Sequence, residues 1–518
     1  MAGKWWKARP SIYQQLRDGG AEPLEEGGSP ETVWMPGARD GVLIYHWNGR
    51  ADEEELRRLT VAIDTLKPAA VRKAIGEARI ISLVDALLAD VSSANLDHDA
   101  VYELGYALAT ESDEREAVKL GIALLGLFDA ENHRDELMTF GRHDEFTLFA
   151  MIALRNTDGD ATADLWALAR QVRGWGRIHL VEHLAQASDP AVREWIVRQG
   201  FRNDVATAYL AGTAAGAGDL AGLLAGTPDD ELLEAAGEIL AALTEEDGPV
   251  VGMPGYQEGR GATELYLDHI EARTGGAGAG SGGAAAGGDG AGEDDAAPRL
   301  GAGELRHFLY VHALRGYAAE HWPELLPRCT EILARPLWPE LAPAALAGAD
   351  DDSAFGRAVQ ACELLGIPTD GALRTRLRAD PYGEAHWYAL MRQATQRDVE
   401  EILTLAAEIL PLTEIASGPG QDLGAGPARR PHRALDMVLQ SLDAWPGHGW
   451  PLIAAGLASP VVRNRNLAVR ALAAWDHATL PPEVRTAVAA ALRAEPDAGV
   501  RERLERLHEG GAQSIAPH

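Results

Sequence analysis

At 518 residues, 46% of them hydrophobic, the chain can hold two or more domains or one long repeat array, and it is too apolar to be disordered. Its 78 acidic against 47 basic residues give a net charge of −31, a surface that repels phosphate backbones and anionic lipid. Two distant cysteines, Cys329 and Cys362, cannot build a disulfide framework or a Cys-rich metal site, which fits a reducing cytoplasm.

The opening "MAGKWWKARPSIYQQL" lacks the apolar core of a signal peptide, and its "KWWKAR" reads as a docked terminus. Residues 1–50 form an irregular N-terminal strap with turn-rich "DGGAEPLEEGGSPE" and "MPGARDG". The apolar and aromatic "VLIYHW" that follows is expected to be a strand, within a short hairpin or an extended strap. From Asp52 the texture becomes helical. "ADEEELRRLTVAIDTL" opens with acids where the helix dipole favours them, and "DHDAVYELGYALAT" with "EREAVKLGIALLGLF" reads as an antiparallel pair. Further amphipathic stretches, each with one apolar stripe, make 51–274 a helical-repeat domain. "GGAGAGSGGAAAGGDGAGEDDAAP", 275–298, is too poor in apolar residues to order itself and reads as a linker. A second helical region follows in two parts, 299–416 and 432–510, separated by a Gly/Pro-rich loop at 417–431, with a tail at 511–518. No apolar stretch approaches the roughly 20 residues of a membrane span, so a membrane partner is excluded.

One turn pattern recurs. "SDPAVREWIV" (188–197), "SPVVRNRNLAVRALAAW" (459–475) and "EPDAGVRERLERL" (495–507) share a proline turn followed by Val-Arg and a helix. Pro460 and Pro496 are 36 residues apart, Pro190 and Pro228 38, which are periods of helical-pair repeats. These segments resemble HEAT-type repeats of bacterial proteins. The resemblance implies an all-α fold, a HEAT-like α-solenoid of stacked antiparallel helix pairs, behind an irregular or hairpin-containing N-terminal segment.

"GWGRIHLVEHL", 174–184, spells H-x-x-E-H at His179, Glu182 and His183, the inverted zincin pattern in which two histidines hold zinc and the glutamate activates water. Its third ligand would come from a downstream helix, where Glu264 is best placed. Enzymes of that kind mix helix with sheet, however, and strand content here is nearly nil. On a helical wheel Ile178, Val181, Leu184 and Ala185 share one face and His179, Glu182 and His183 the other, as in any amphipathic helix. The same stretch is similar to part of a group of bacterial helical proteins, some carrying a limonene-hydroxylase label. That label implies haem, flavin or non-haem iron, and only His179 and His183 could begin an iron site.

The expected function is a non-catalytic scaffold that binds a protein or peptide, basic in view of the charge, along a concave groove carrying Trp175, Arg177, His179, Glu182 and His183, with no cofactor. The alternative is a zinc- or iron-dependent hydrolase or oxygenase with Glu182 as catalytic base. A second alternative is a nucleic-acid-binding repeat protein, which would need Arg463, Arg465, Arg470 and Arg501 to line one face of the less acidic C-terminal repeats.

Overall fold

The computed structural model describes residues 10–19, 34–46, 52–76, 78–156, 159–245, 250, 252–275, 302–476 and 479–508. Among them the chain is all helix and turn, with no strand and one isolated parallel bridge, Asp422 to Val461. The "KWWKAR" terminus, the Gly-rich stretch from 276 to 298 and the tail at 511–518 lie outside the described residues. The chain forms two compact units. The first takes the described residues up to 275 together with 306–335, and the second takes 302–305 and 336–508.

The first unit begins with α1 (Ile12–Arg17) and α2 (Ala38–His46). Then come α3 (Glu53–Ile63), α4 (Pro68–Ile75), α5 (Ile80–Ser93), α6 (His98–Glu111), α7 (Arg115–Leu125), α8 (Arg134–Gly141) and α9 (Thr147–Leu154). They continue as α10 (Thr162–Ala169), α11 (Trp175–Leu184), α12 (Pro190–Trp195), α13 (Ala208–Ala217), α14 (Leu220–Leu224), α15 (Asp230–Leu243) and α16 (Gly259–Gly275).

Two expectations for residues 1–50 need correction. The region contains two helices, and Val42–His46 of the expected strand lie in α2. A strand there would have had no edge to pair with among the described residues, and its backbone polar groups are satisfied within the helix. Trp47 falls outside the described residues.

Helix starts follow the sequence closely. Asp52 accepts hydrogen bonds from the Glu54 and Glu55 amides at 2.9 and 3.0 Å, Asp97 caps α6, and Asp189 caps α12 with Pro190 in its first turn. Neighbouring helices pair as α3–α4, α6–α7, α8–α9 and α10–α11. The odd-numbered members also pack on one another in succession, α3 on α5, then α7, α9, α11, α13 and α15, which gives a continuous layer. The α6–α7 pair is the tightest, because a Cβ on Gly121 would lie 2.3 Å from the Ala109 nitrogen. Only glycine permits that approach.

In the second unit, the core gathers Phe355, Leu373, Trp387, Leu403, Leu435, Leu472 and Val500, among others. The period of 36 residues has a physical counterpart here. The helix after Pro460, Val462–Ala473, packs on the helix after Pro496, Ala498–His508. Arg465, 1% exposed, reaches across to Glu495 in a bidentate ion pair at 2.7 and 2.8 Å. The Gly/Pro-rich loop at 417–431 is held against the same corner. The Gly420 carbonyl accepts from Arg465 at 2.6 Å, and the carbonyls of Gly424 and Gly426 accept from Arg433.

Candidate functional site: the face beneath the N-terminal helix

The H-x-x-E-H residues lie on α11 within the odd-numbered layer. The loop between α8 and α9 fixes where this helix begins, since Asp144 accepts a hydrogen bond from the Gly176 amide at 2.8 Å. A carboxylate at a helix N-terminus meets both the orphan amides and the positive end of the dipole. Gly176 is required there, because a Cβ would lie 2.5 Å from Thr147 Oγ1. Asp144 thus acts across the fold, on α11, rather than on α9, the helix it precedes.

Helix α2 covers part of the polar face of α11, over Trp175, His179 and Glu182. Gly41 rests on the ring of Trp175 so closely that a Cβ would come within 2.2 Å of it. Tyr45 donates its hydroxyl to Glu182 at 2.5 Å and its ring contacts Trp175, His179 and Tyr209. His46 bonds the Tyr209 hydroxyl at 2.7 Å. At the other end of α2, Gly37 takes a left-handed φ of +72° and gives its amide to Glu145 at 2.8 Å.

Under this helix Trp175 and His179 are buried, while Arg177, Glu182 and His183 are partly buried. Burial lowers His179 to about 4, so its ring is neutral at neutral pH, and it also lowers His183. Glu182 is raised by burial, with the Tyr45 hydroxyl pulling the other way. Arg177 turns inward to the Val172 carbonyl at 2.9 Å and lies over the Trp195 ring. His179 and His183 are one turn apart, but Glu264 sits on α16 paired with Arg260 at 3.1 Å. Among the described residues, no group of three or more His, Cys, Asp or Glu could hold a metal ion.

The most unusual chemistry at this face lies on residues that sequence reasoning passed over. Lys119 of α7 is 0% exposed, with its ammonium 2.7 Å from Asp40 of α2, 2.7 Å from Glu145 and 3.0 Å from Glu116. Arg79 also approaches Glu116, at 3.4 Å. Burial opposes charge on Lys119, but the three carboxylates together raise its pKa. Glu145 is likewise opposed by burial but held below its usual range by Lys119 and the Gly37 amide. For Asp40, burial wins, and its carboxyl is pushed up to about 7. One ammonium is thus shared by three carboxyl groups, and burial opposes charge on Asp40 more than its contact with Lys119 favours it. The signal was present in "EREAVKLGIALLGLF", where a single lysine interrupts an apolar run.

In the second unit, the four arginines are engaged within the chain. Arg465 is buried on Glu495, Arg463 lies 3.4 Å from Asp436, Arg470 donates to the Gln440 carbonyl, and Arg501 donates to the Glu495 carbonyl. No described helix is long and apolar enough to cross a membrane. Compared with family models, curated proteins and solved structures, the chain finds no match in any of the three.

Proposed function

We propose that the protein is a binding scaffold that takes a protein or peptide segment onto the odd-numbered helical layer of its first unit, as a HEAT-like α-solenoid would. The observation that carries this reading is that the layer already holds a helix, α2, through polar and aromatic side chains of α7, the α8–α9 loop, α11 and α13. Pairwise packing of α3 to α11, with a continuous layer to α15, supports the repeat reading. Recognition by a groove of this kind needs scattered polar and aromatic anchors rather than one reactive constellation. Trp175, Glu182, Tyr209 and Lys119 supply such anchors.

The catalytic alternative rests on the same α11 residues, so metal content separates the two. Purified, tag-free protein is expected to carry no zinc or iron near one equivalent. A near-stoichiometric metal, lost in both His179→Ala and His183→Ala, overturns the scaffold reading and makes Glu182 a candidate base.

A further inference from the structure

Among the first unit's helices, α2 is bound in an uncommon way. Its only fully buried residues are Asp40 and Gly41, neither of which has an aliphatic side chain. Ile44 is 43% exposed, and Met35 just ahead of the helix is 69% exposed. By contrast, α7 buries nine consecutive residues and α15 buries Leu232, Leu233, Ile239, Leu240 and Leu243. A core helix is held by its apolar stripe. Helix α2 is held by position-specific contacts, which is how a ligand is held.

Those contacts define what the face accepts. The Glu145 carboxylate takes the free amide ahead of the helix, at Gly37. Lys119 takes a carboxylate three positions on, at Asp40. Trp175 admits only a glycine at the next position, Gly41. Glu182 takes a phenol four positions later, at Tyr45. The pattern is Gly-x-x-Asp-Gly-x-x-x-Tyr on one helix, read by α7, the α8–α9 loop and α11.

We infer that α2 is the resident occupant of a helix-docking site, and that a helix of another protein carrying the same carboxylate, glycine and phenol displaces it. This inference rests on the scaffold reading and names the partner's chemistry. The partner brings an acid to the buried cation, where the overall charge alone suggested a basic one.

The test uses the full chain. A fluorescein-labelled peptide of residues 34–46 is titrated, with anisotropy as readout, into the parent and into Tyr45→Ala, which loosens the resident helix by removing the phenol and its ring contacts. Binding at least about tenfold tighter to Tyr45→Ala than to the parent is expected, because the competitor in cis is weakened. A peptide with Asp40→Lys, which sets ammonium against Lys119, is expected to bind that chain at least about tenfold more weakly. Equal affinity of the two peptides, equal affinity of the two chains, or no saturation on the Tyr45→Ala chain overturns the inference. Should Tyr45→Ala fail to fold by thermal melt, Asp40→Lys in the chain opens the same site from its other end, and the same outcomes apply. Failure here leaves the scaffold reading on its own test, since metal content is measured without peptide.

Discussion

Lys119 shows how one residue can organise a region that its own sequence neighbourhood does not reveal. It stands in a helix where Val118, Leu120, Ile122, Leu124 and Leu125 are all 0% exposed, and it is as buried as they are. An ammonium in such a place persists only because Asp40, Glu116 and Glu145 converge on it from three segments of the chain. Lys119→Met is therefore expected to destabilise the first unit by about 3–5 kcal/mol, since it leaves Glu145 and Asp40 buried without the ammonium that contacts them both. Adding Asp40→Asn and Glu145→Gln to that variant is expected to recover a good part of the loss, as read by thermal melts. Pattern reasoning placed Lys119 in a helix but could not find Asp40 and Glu145, because they lie 79 and 26 residues away along the chain. The H-x-x-E-H residues show the reverse. Their one-face arrangement on α11 was legible from spacing, whereas the helix that covers them was not.

At the scale of the element, α2 is where sequence and structure part. "VLIYH" carries strand-forming residues, yet it is helical, and no partner edge stands among the described residues. The stretch "MPGARDG" was read as a turn, but only Pro36 and Gly37 form one; Ala38–Gly41 already belong to α2, so the turn presents the Gly37 amide and the helix presents Asp40 to the layer. Docking of α2 also couples two groups that titrate in opposite senses. Asp40, raised to about 7 by burial, contributes stability that is fully present below the ordinary carboxylate range and is lost as pH rises through about 7. His179, lowered to about 4, contributes stability that is present above the ordinary histidine range and is lost as pH falls through about 4. Between these limits the two slopes oppose, each about 1.4 kcal/mol per pH unit at most, and nearly cancel. Single variants should separate them. Relative to the parent, Asp40→Asn is expected to lose stability as pH falls from about 7.5 to about 4.5, and His179→Phe to gain it. Parallel curves for parent and both variants in melts across that range would show that neither group titrates as placed.

At the scale of the whole molecule, the two units share helical texture and differ in how their corners are fastened. The all-helical class and the Asp189–Pro190 helix start were legible because they depend on local capping and apolar period. The grip of Arg465 on Glu495 was not, since the same arginine could as well have faced solvent and a phosphate backbone. That grip bears on a stretch whose composition suggests slack. Residues 417–431 lend their carbonyls to Arg433 and Arg465, Asp422 bridges to Val461, and Arg429 and Arg430 are paired with Asp422 and Asp380. A protease must draw several residues of extended backbone into its cleft, and this loop has none to spare. Trypsin is accordingly expected to leave the bond after Arg429 intact under native conditions, despite the glycines and prolines around it. Early cleavage there, seen by mass spectrometry of the fragments, would mean that the corner is loose. If the bond survives, the loop is a poor place to insert a tag and a sound place to attach a rigid label.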